Sequence, residues 1–138
     1  MKIGFNVNQR KSLEAVLYLA NKVGGKINIY NLLKAVFEAD KIHLNKYARP
    51  VTGDSYIRMP YGTVPSAIYD FIKKDSLALA SLNLDEYPFE INGHFLLSKR
   101  PSETKYFSKS DIHALDDGFD VYGNLEFGQI EDKIQKLN

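Results

Sequence analysis

Residues 47–70 read YARPVTGDSYIRMPYGTVPSAIYD, and the fold turns on how this stretch is interpreted. Pro50, Pro60 and Pro65, with Gly53 and Gly62, cut it too often for a long helix, while four tyrosines make it too apolar for a linker. Pro50 ends the helix before it, because the residue preceding a proline avoids the α region. Thr52-Gly53-Asp54-Ser55 has turn chemistry. Tyr56–Met59 is then a short strand or extended segment, and Pro60-Tyr61-Gly62 a second corner. Thr63 is placed to cap a third helix, with Pro65 in its first turn, where a missing N–H costs nothing. Ile68, Phe71 and Ile72 would bury its face.

Upstream of this stretch, Leu13, Val16, Leu17, Ala20 and Val23 make one apolar stripe, predicting a first helix over about residues 8–23 that ends at Gly24-Gly25. Asn28 is a good N-cap for a second helix over 29–47, with Leu33, Val36, Phe37, Leu44 and Tyr47 on its apolar side. Asp40 falls on that same side and needs hydrogen-bond partners there; His43 and the Thr52/Asp54 turn are the candidates. Downstream, Phe89–Leu97 has hairpin alternation around Asn92-Gly93, which suits a type I′ turn. Ser108 and Asp111 make a capping-box-like opening to a fourth helix reaching Tyr122, with Gly123 ending it. A fifth helix is expected over 125–137. The fold class expected is mainly α (α+β): a compact five-helix domain with a small β-hairpin between helices three and four, occupying 1–138 as a single domain. Helices followed by a hairpin are also the outline of a winged-helix module.

The chain has 138 residues and no cysteine, which excludes disulfides, thiol nucleophiles and thiolate zinc sites. MKIGFNVNQRKS lacks the apolar core of a signal peptide, and no run of about 18 apolar residues occurs. A cytoplasmic protein without a membrane span is the expectation. Residues 1–80 carry 12 Lys/Arg against 6 Asp/Glu, and residues 81–138 carry 6 against 11. That asymmetry could favour an acidic partner surface or a nucleic-acid backbone.

Catalytic patterns do not emerge. His43, His94 and His113 form no metal-binding pair at helical spacing, although Asp40 and His43 share a helix face. Gly24-Gly25-Lys26 lacks the rest of a phosphate loop, and no G-x-S-x-G occurs. Lys73 and Lys74 are the basic residues of helix three, both at its end, so nucleic acid is an unfavoured partner. No catalytic, cofactor-binding or metal-ligating residue is assigned. The turn tyrosines Tyr47, Tyr56, Tyr61 and Tyr69 suit either packing or interface anchoring.

VFEADKIHLNKYARPVTGDSYIRMPYGTVPSAIYD, residues 36–70, resembles the signature of the Panacea domain, the SocA-like antitoxin or phage-associated GepA family. The matching positions are Ala39, Asp40, Lys41, His43 and Leu44; then Arg49, Pro50, Thr52, Gly53, Asp54 and Tyr56; then Tyr61, Gly62, Val64, Pro65 and Tyr69. FSKSDIHALDDGFDVYGNL, residues 107–125, resembles a later helix of the family. Ala48 stands where the family usually has Gly, and Thr63 where it usually has Pro. The resemblance implies a bacterial antitoxin that is not an enzyme, uses no cofactor, and neutralises a cognate protein toxin from the adjacent gene by direct binding. A homo-oligomer or a hetero-oligomer with the toxin would fit. The alternatives are an adaptor delivering the toxin to a protease, or a winged-helix-like DNA-binding autorepressor. Asp40, His43, Arg49, Pro50, Thr52, Gly53, Asp54, Tyr56, Tyr61, Gly62, Pro65 and Tyr69 would form a structural corner with an interface edge. Tyr47, Tyr56, Arg58 and Tyr61 are the candidate toxin contacts.

Overall fold

A computed structural model describes residues 9–60, 62–73, 82, 84 and 86–123. Helix α1 spans Gln9–Asn21, strand β1 Lys26–Asn28, and helix α2 Ile29–Tyr47. Strands β2, Tyr56–Met59, and β3, Gly62–Pro65, lead into helix α3, Ser66–Ile72. Strands β4, Phe89–Asn92, and β5, Phe95–Ser98, follow. A 3-10 turn at Thr104–Tyr106 precedes helix α4, Lys109–Tyr122.

The expected five-helix domain with one hairpin is corrected: the described residues hold four α-helices and five strands. The helix expected over 125–137 lies outside the described residues. Tyr56–Met59 is a strand, as its sequence suggested, whereas β1 and β3 escaped sequence reading for physical reasons. β1 has three residues, too few to show a period of two, and exists because its backbone pairs with β5, Ile27 opposite Leu96. β3 occupies the place of the expected opening of helix three. Thr63 instead pairs with Arg58 in a second hairpin, and Pro65 is the residue that flanks α3.

The three-stranded sheet has the order β1-β5-β4, antiparallel throughout. Asn92 is the last paired residue of β4, so the two-residue turn is Gly93-His94. Gly93 has φ +61 and His94 is not among the positive-φ residues, which is the type II′ pattern rather than the expected type I′.

Asn28 caps α2 as its residue type demands, its side chain accepting from the Tyr30 and Asn31 amides. α2 lies centrally, packed on α4 along its length. Ala35 and Ala39 face Gly118 so closely that a Cβ at Gly118 would overlap the Ala35 carbonyl oxygen and lie 3.0 Å from the Ala39 nitrogen. Leu13, Leu17, Leu32, Val36, Ile68, Phe71, Leu96 and Leu115 are fully buried in one core shared by all four helices and both sheets. Glu14, also fully buried, accepts two hydrogen bonds from Arg100 (3.0 and 2.8 Å) and one from the Glu103 amide (2.7 Å), tying α1 to the segment after β5. The Arg100 guanidinium, with the Glu103 amide and Arg10, holds the Glu14 carboxyl below the usual range although burial pushes it up.

Candidate functional site

The corner between α2 and α3 is the site the sequence singled out, and three carboxylates build it. The first is Asp40, on the apolar side of α2 and 4% exposed. It accepts from the Thr52 amide at 2.8 Å, the Thr52 hydroxyl at 2.6 Å, and the Tyr56 hydroxyl. The Tyr56 ring meets Phe37 edge to face, 5.3 Å between centroids. Burial and the Asp40 carboxylate hold the Tyr56 phenol well above its usual pKa, so it stays a donor.

Asp54 is the second. Thr52 Oγ1 accepts from its amide at 3.1 Å. Its side chain accepts from the Ala67 amide at 2.9 Å and the Ile68 amide at 3.3 Å. Pro65 offers α3 no side-chain cap, so Asp54 caps that helix across 13 residues of chain. Burial raises the Asp54 carboxyl, while those amides pull it down.

Asp111 is the third, the capping-box partner of Ser108 at the start of α4. It also receives Lys11 at 2.8 Å and Arg49 at 3.1 Å. Against the upward push of burial, Lys11 and the Ser108 amide hold its carboxyl below the usual range. His43 is fully buried beside it. Its Nδ1 lies 2.6 Å from the Arg49 carbonyl, which can only accept, so Nδ1 donates. Nε2 lies 2.9 Å from the Ser110 hydroxyl and 3.4 Å from Asp111 Oδ1.

The structure therefore separates Asp40 and His43, which the sequence placed together. Asp40 faces the turn and β2, whereas His43 faces Arg49 and α4. Among the described residues no group of three or more His, Cys, Asp or Glu side chains could hold a metal ion. Gly53 has φ +73, a conformation only glycine adopts cheaply. Ala48 has φ +61 and ends α2, its amide reaching the Leu44 carbonyl. Tyr69 and Pro65 pack against or within the core, and Gly62 opens β3. Tyr61 lies outside the described residues.

The outer side of the corner differs. Tyr47 is 56% and Leu44 43% exposed, one turn apart on α2, and Ile57 and Arg58 are exposed on β2. Tyr47 also walls a cleft of about 190 Å³ between α2 and α4, with His43 and Lys46 on one side and Ser110, His113 and Asp117 on the other. That volume falls short of the roughly 300–1,000 Å³ of small-molecule sites and suits one side chain. The pairing of Arg49 with Asp111 and the capping of α3 by Asp54 were not read from the sequence. The buried position of Asp40 was the one signal that such a network existed.

The family model described as Antitoxin SocA-like, Panacea domain, matches residues 32–138, from within α2 onward. No curated protein and no solved structure matches. The family description ties the chain to a toxin–antitoxin role in general terms. No helix among the described residues is long and apolar enough to cross a membrane.

Proposed function

We propose that this chain, which belongs to the SocA-like antitoxin family of Panacea domains, neutralises a cognate protein toxin by binding it directly, as a single folded unit and without chemistry of its own. The observation that carries the reading is the two-sidedness of the corner. Its polar motif groups Asp40, His43, Thr52 and Asp54 are engaged inward, where a catalytic role would require breaking the contacts that hold α2, α3 and α4 together. Leu44, Tyr47, Ile57 and Arg58 point outward. An exposed tyrosine beside a cleft is the kind of anchor that dominates protein interfaces. The Tyr56 hydroxyl and ring are both engaged internally, which moves the contact role toward Tyr47 and Arg58.

Nucleic acid is a poorer fit. The exposed polar residues of α3 and its end are Asp70 and Lys73, which leave that helix without the basic face a groove reader needs.

Co-purification with the product of the adjacent reading frame, followed by an assay of that product's toxicity, tests the proposal. A stable complex with the toxin inactive is expected. Growth rescue without any complex would overturn direct neutralisation and favour delivery to a protease. Salt-dependent binding to the chain's own promoter, with no complex, would favour repression.

A further inference from the structure

The pairing register of the three-stranded sheet sets one of its faces on the core and the other outward. Opposite residues of antiparallel strands point to the same side, and sides alternate along each strand. Ile27, Leu96 and Ile91 form one row across the sheet, and Ile27 and Leu96 are buried, so this row faces inward. The rows on either side of it face outward. One is Lys26, Leu97 and Glu90; the other is Asn28, Phe95 and Asn92. Two contacts agree with that placement. Lys26 Nζ lies 4.5 Å from the centre of the Phe95 ring, and Lys99, two residues past Leu97, reaches Glu90 at 3.8 Å. Phe95 is one of four large hydrophobics exposed among the described residues, and Lys26, Glu90 and Asn92 are exposed around it.

We infer that this outer face docks a second copy of the chain, about a two-fold axis that runs along β5 between the two sheets. The order of charges carries the inference. Lys26 and Glu90 stand on opposite flanks of Leu97 in a single row, so the face holds its own complement. Turning one copy over about β5 lays Leu97 on Leu97 and Phe95 on Phe95. It also sets Lys26 of each copy against Glu90 of the other, twice per dimer. An isologous contact has this form, one patch used twice with residue i meeting j and j meeting i. An apolar centre with a polar rim is also how protein interfaces are built. Within the chain, Lys26 meets the Phe95 ring and no carboxylate among the described residues, and the Lys99–Glu90 pair, 42% and 63% exposed, contributes little. Lys99 sits near the axis, where like charges oppose docking, but its turn toward Glu90 carries the ammonium onto the β4 flank, away from its copy.

Three short strands about 4.8 Å apart offer less than the roughly 800 Å² per partner of a standard complex, so the dimer is weak and concentration-dependent. β1 runs directly into α2, whereas Tyr47 stands at the far end of that helix, about 27 Å away at 1.5 Å per residue. Docking through the sheet therefore leaves the corner of each copy open. Sedimentation equilibrium of the purified full chain, alone, is expected to show monomer passing to dimer between about 5 and 500 µM. Lys26→Glu and Glu90→Lys each place like charges face to face twice, and each should weaken association at least about tenfold. Mixed in equal amounts, the two variants should associate within about threefold of wild type, because each supplies the charges that the other lacks. Phe95→Ser removes the apolar centre and should also weaken association about tenfold. Thermal melting checks that each variant, altered at a surface position, remains folded.

A chain that stays monomeric at the highest concentration overturns the inference. A dimer indifferent to both charge reversals overturns it too, since the contact then lies elsewhere. Loss of the dimer in both folded variants, without recovery on mixing, refutes the two-fold pairing of Lys26 with Glu90. No toxin enters these measurements, so each of these failures leaves direct neutralisation standing.

Discussion

Replacing Asp40 should loosen the corner more than any other single polar change. The side chain is 4% exposed and accepts from the Thr52 amide, the Thr52 hydroxyl and the Tyr56 hydroxyl. Asp40→Ala leaves those donors facing an apolar void. Each orphaned buried donor costs about 1–3 kcal/mol. The two hydroxyls can turn elsewhere while the Thr52 amide cannot, so the sum is about 2–5 kcal/mol, not three full penalties. That is a large share of the roughly 5–15 kcal/mol by which a domain is stable. Asp40→Asn keeps the shape and one acceptor and should cost about 1–2 kcal/mol. Urea unfolding followed by circular dichroism gives both values, with an unchanged slope showing that the unfolded state is not what moved. A cycle with Tyr56→Phe should give a coupling of about 1 kcal/mol or more, because the two side chains share one hydrogen bond. An Asp40→Ala cost below about 0.5 kcal/mol, typical of surface changes, would refute the reasoning, as would additive behaviour in the cycle. Asp40→Asn should still form the toxin complex well below its melting temperature, since its role is to hold the corner.

Ala48→Gly should stabilise the chain by about 0.5–1 kcal/mol, because αL backbone costs an L-residue about 1–2 kcal/mol and glycine returns part of that as chain entropy; a lower urea midpoint would contradict it. Gly118→Ala should destabilise by about 1–3 kcal/mol despite alanine's better helix propensity, since its Cβ would meet the α2 backbone; a rise in melting temperature would show that the crossing can open. Lys34 is 3% exposed, donates to the Thr63 carbonyl at 3.0 Å, and burial pushes its ammonium below the ordinary lysine range. Its charge therefore weakens folding fully below the folded pKa, and the penalty fades as pH rises from there to the ordinary 10.5. Lys34→Met should raise stability at pH 7 by on the order of 1 kcal/mol, with the gain over wild type shrinking toward pH 10. Taking the difference between the two proteins removes the tyrosine ionisation common to both, and a loss of stability at pH 7 would refute the assignment.

The local elements were legible because their causes are local. Asn28 caps α2 through atoms two and three residues away, and Ser108 and Asp111 close their box within one turn. The inward position of Asp40 followed from helical periodicity alone. The small residues Ala35, Ala39, Ala114 and Gly118 were also visible as pairs four apart, and could have announced the close crossing of α2 and α4. What stayed hidden depends on atoms far apart in the chain. β1 exists through pairing with β5 some 70 residues later, Lys26 with Leu97, so no pattern within KIN could reveal it. β3 became a strand because its register with β2 outweighed the helix-capping chemistry of Thr63, whose task Asp54 performs from 13 residues away.

The sequence by itself determined that α1, α2 and α4 are helical, where α2 and α4 are capped, and that a carboxylate on the α2 face needed partners, because capping and periodicity act within a turn or two. Only the tertiary structure decided which partners those are. Asp40 goes to Thr52 and Tyr56, His43 to Arg49 and Ser110, and Arg49 to Asp111. Hydrogen bonds and ion pairs form between whatever groups packing brings within about 3 Å, and packing is settled by the whole core at once.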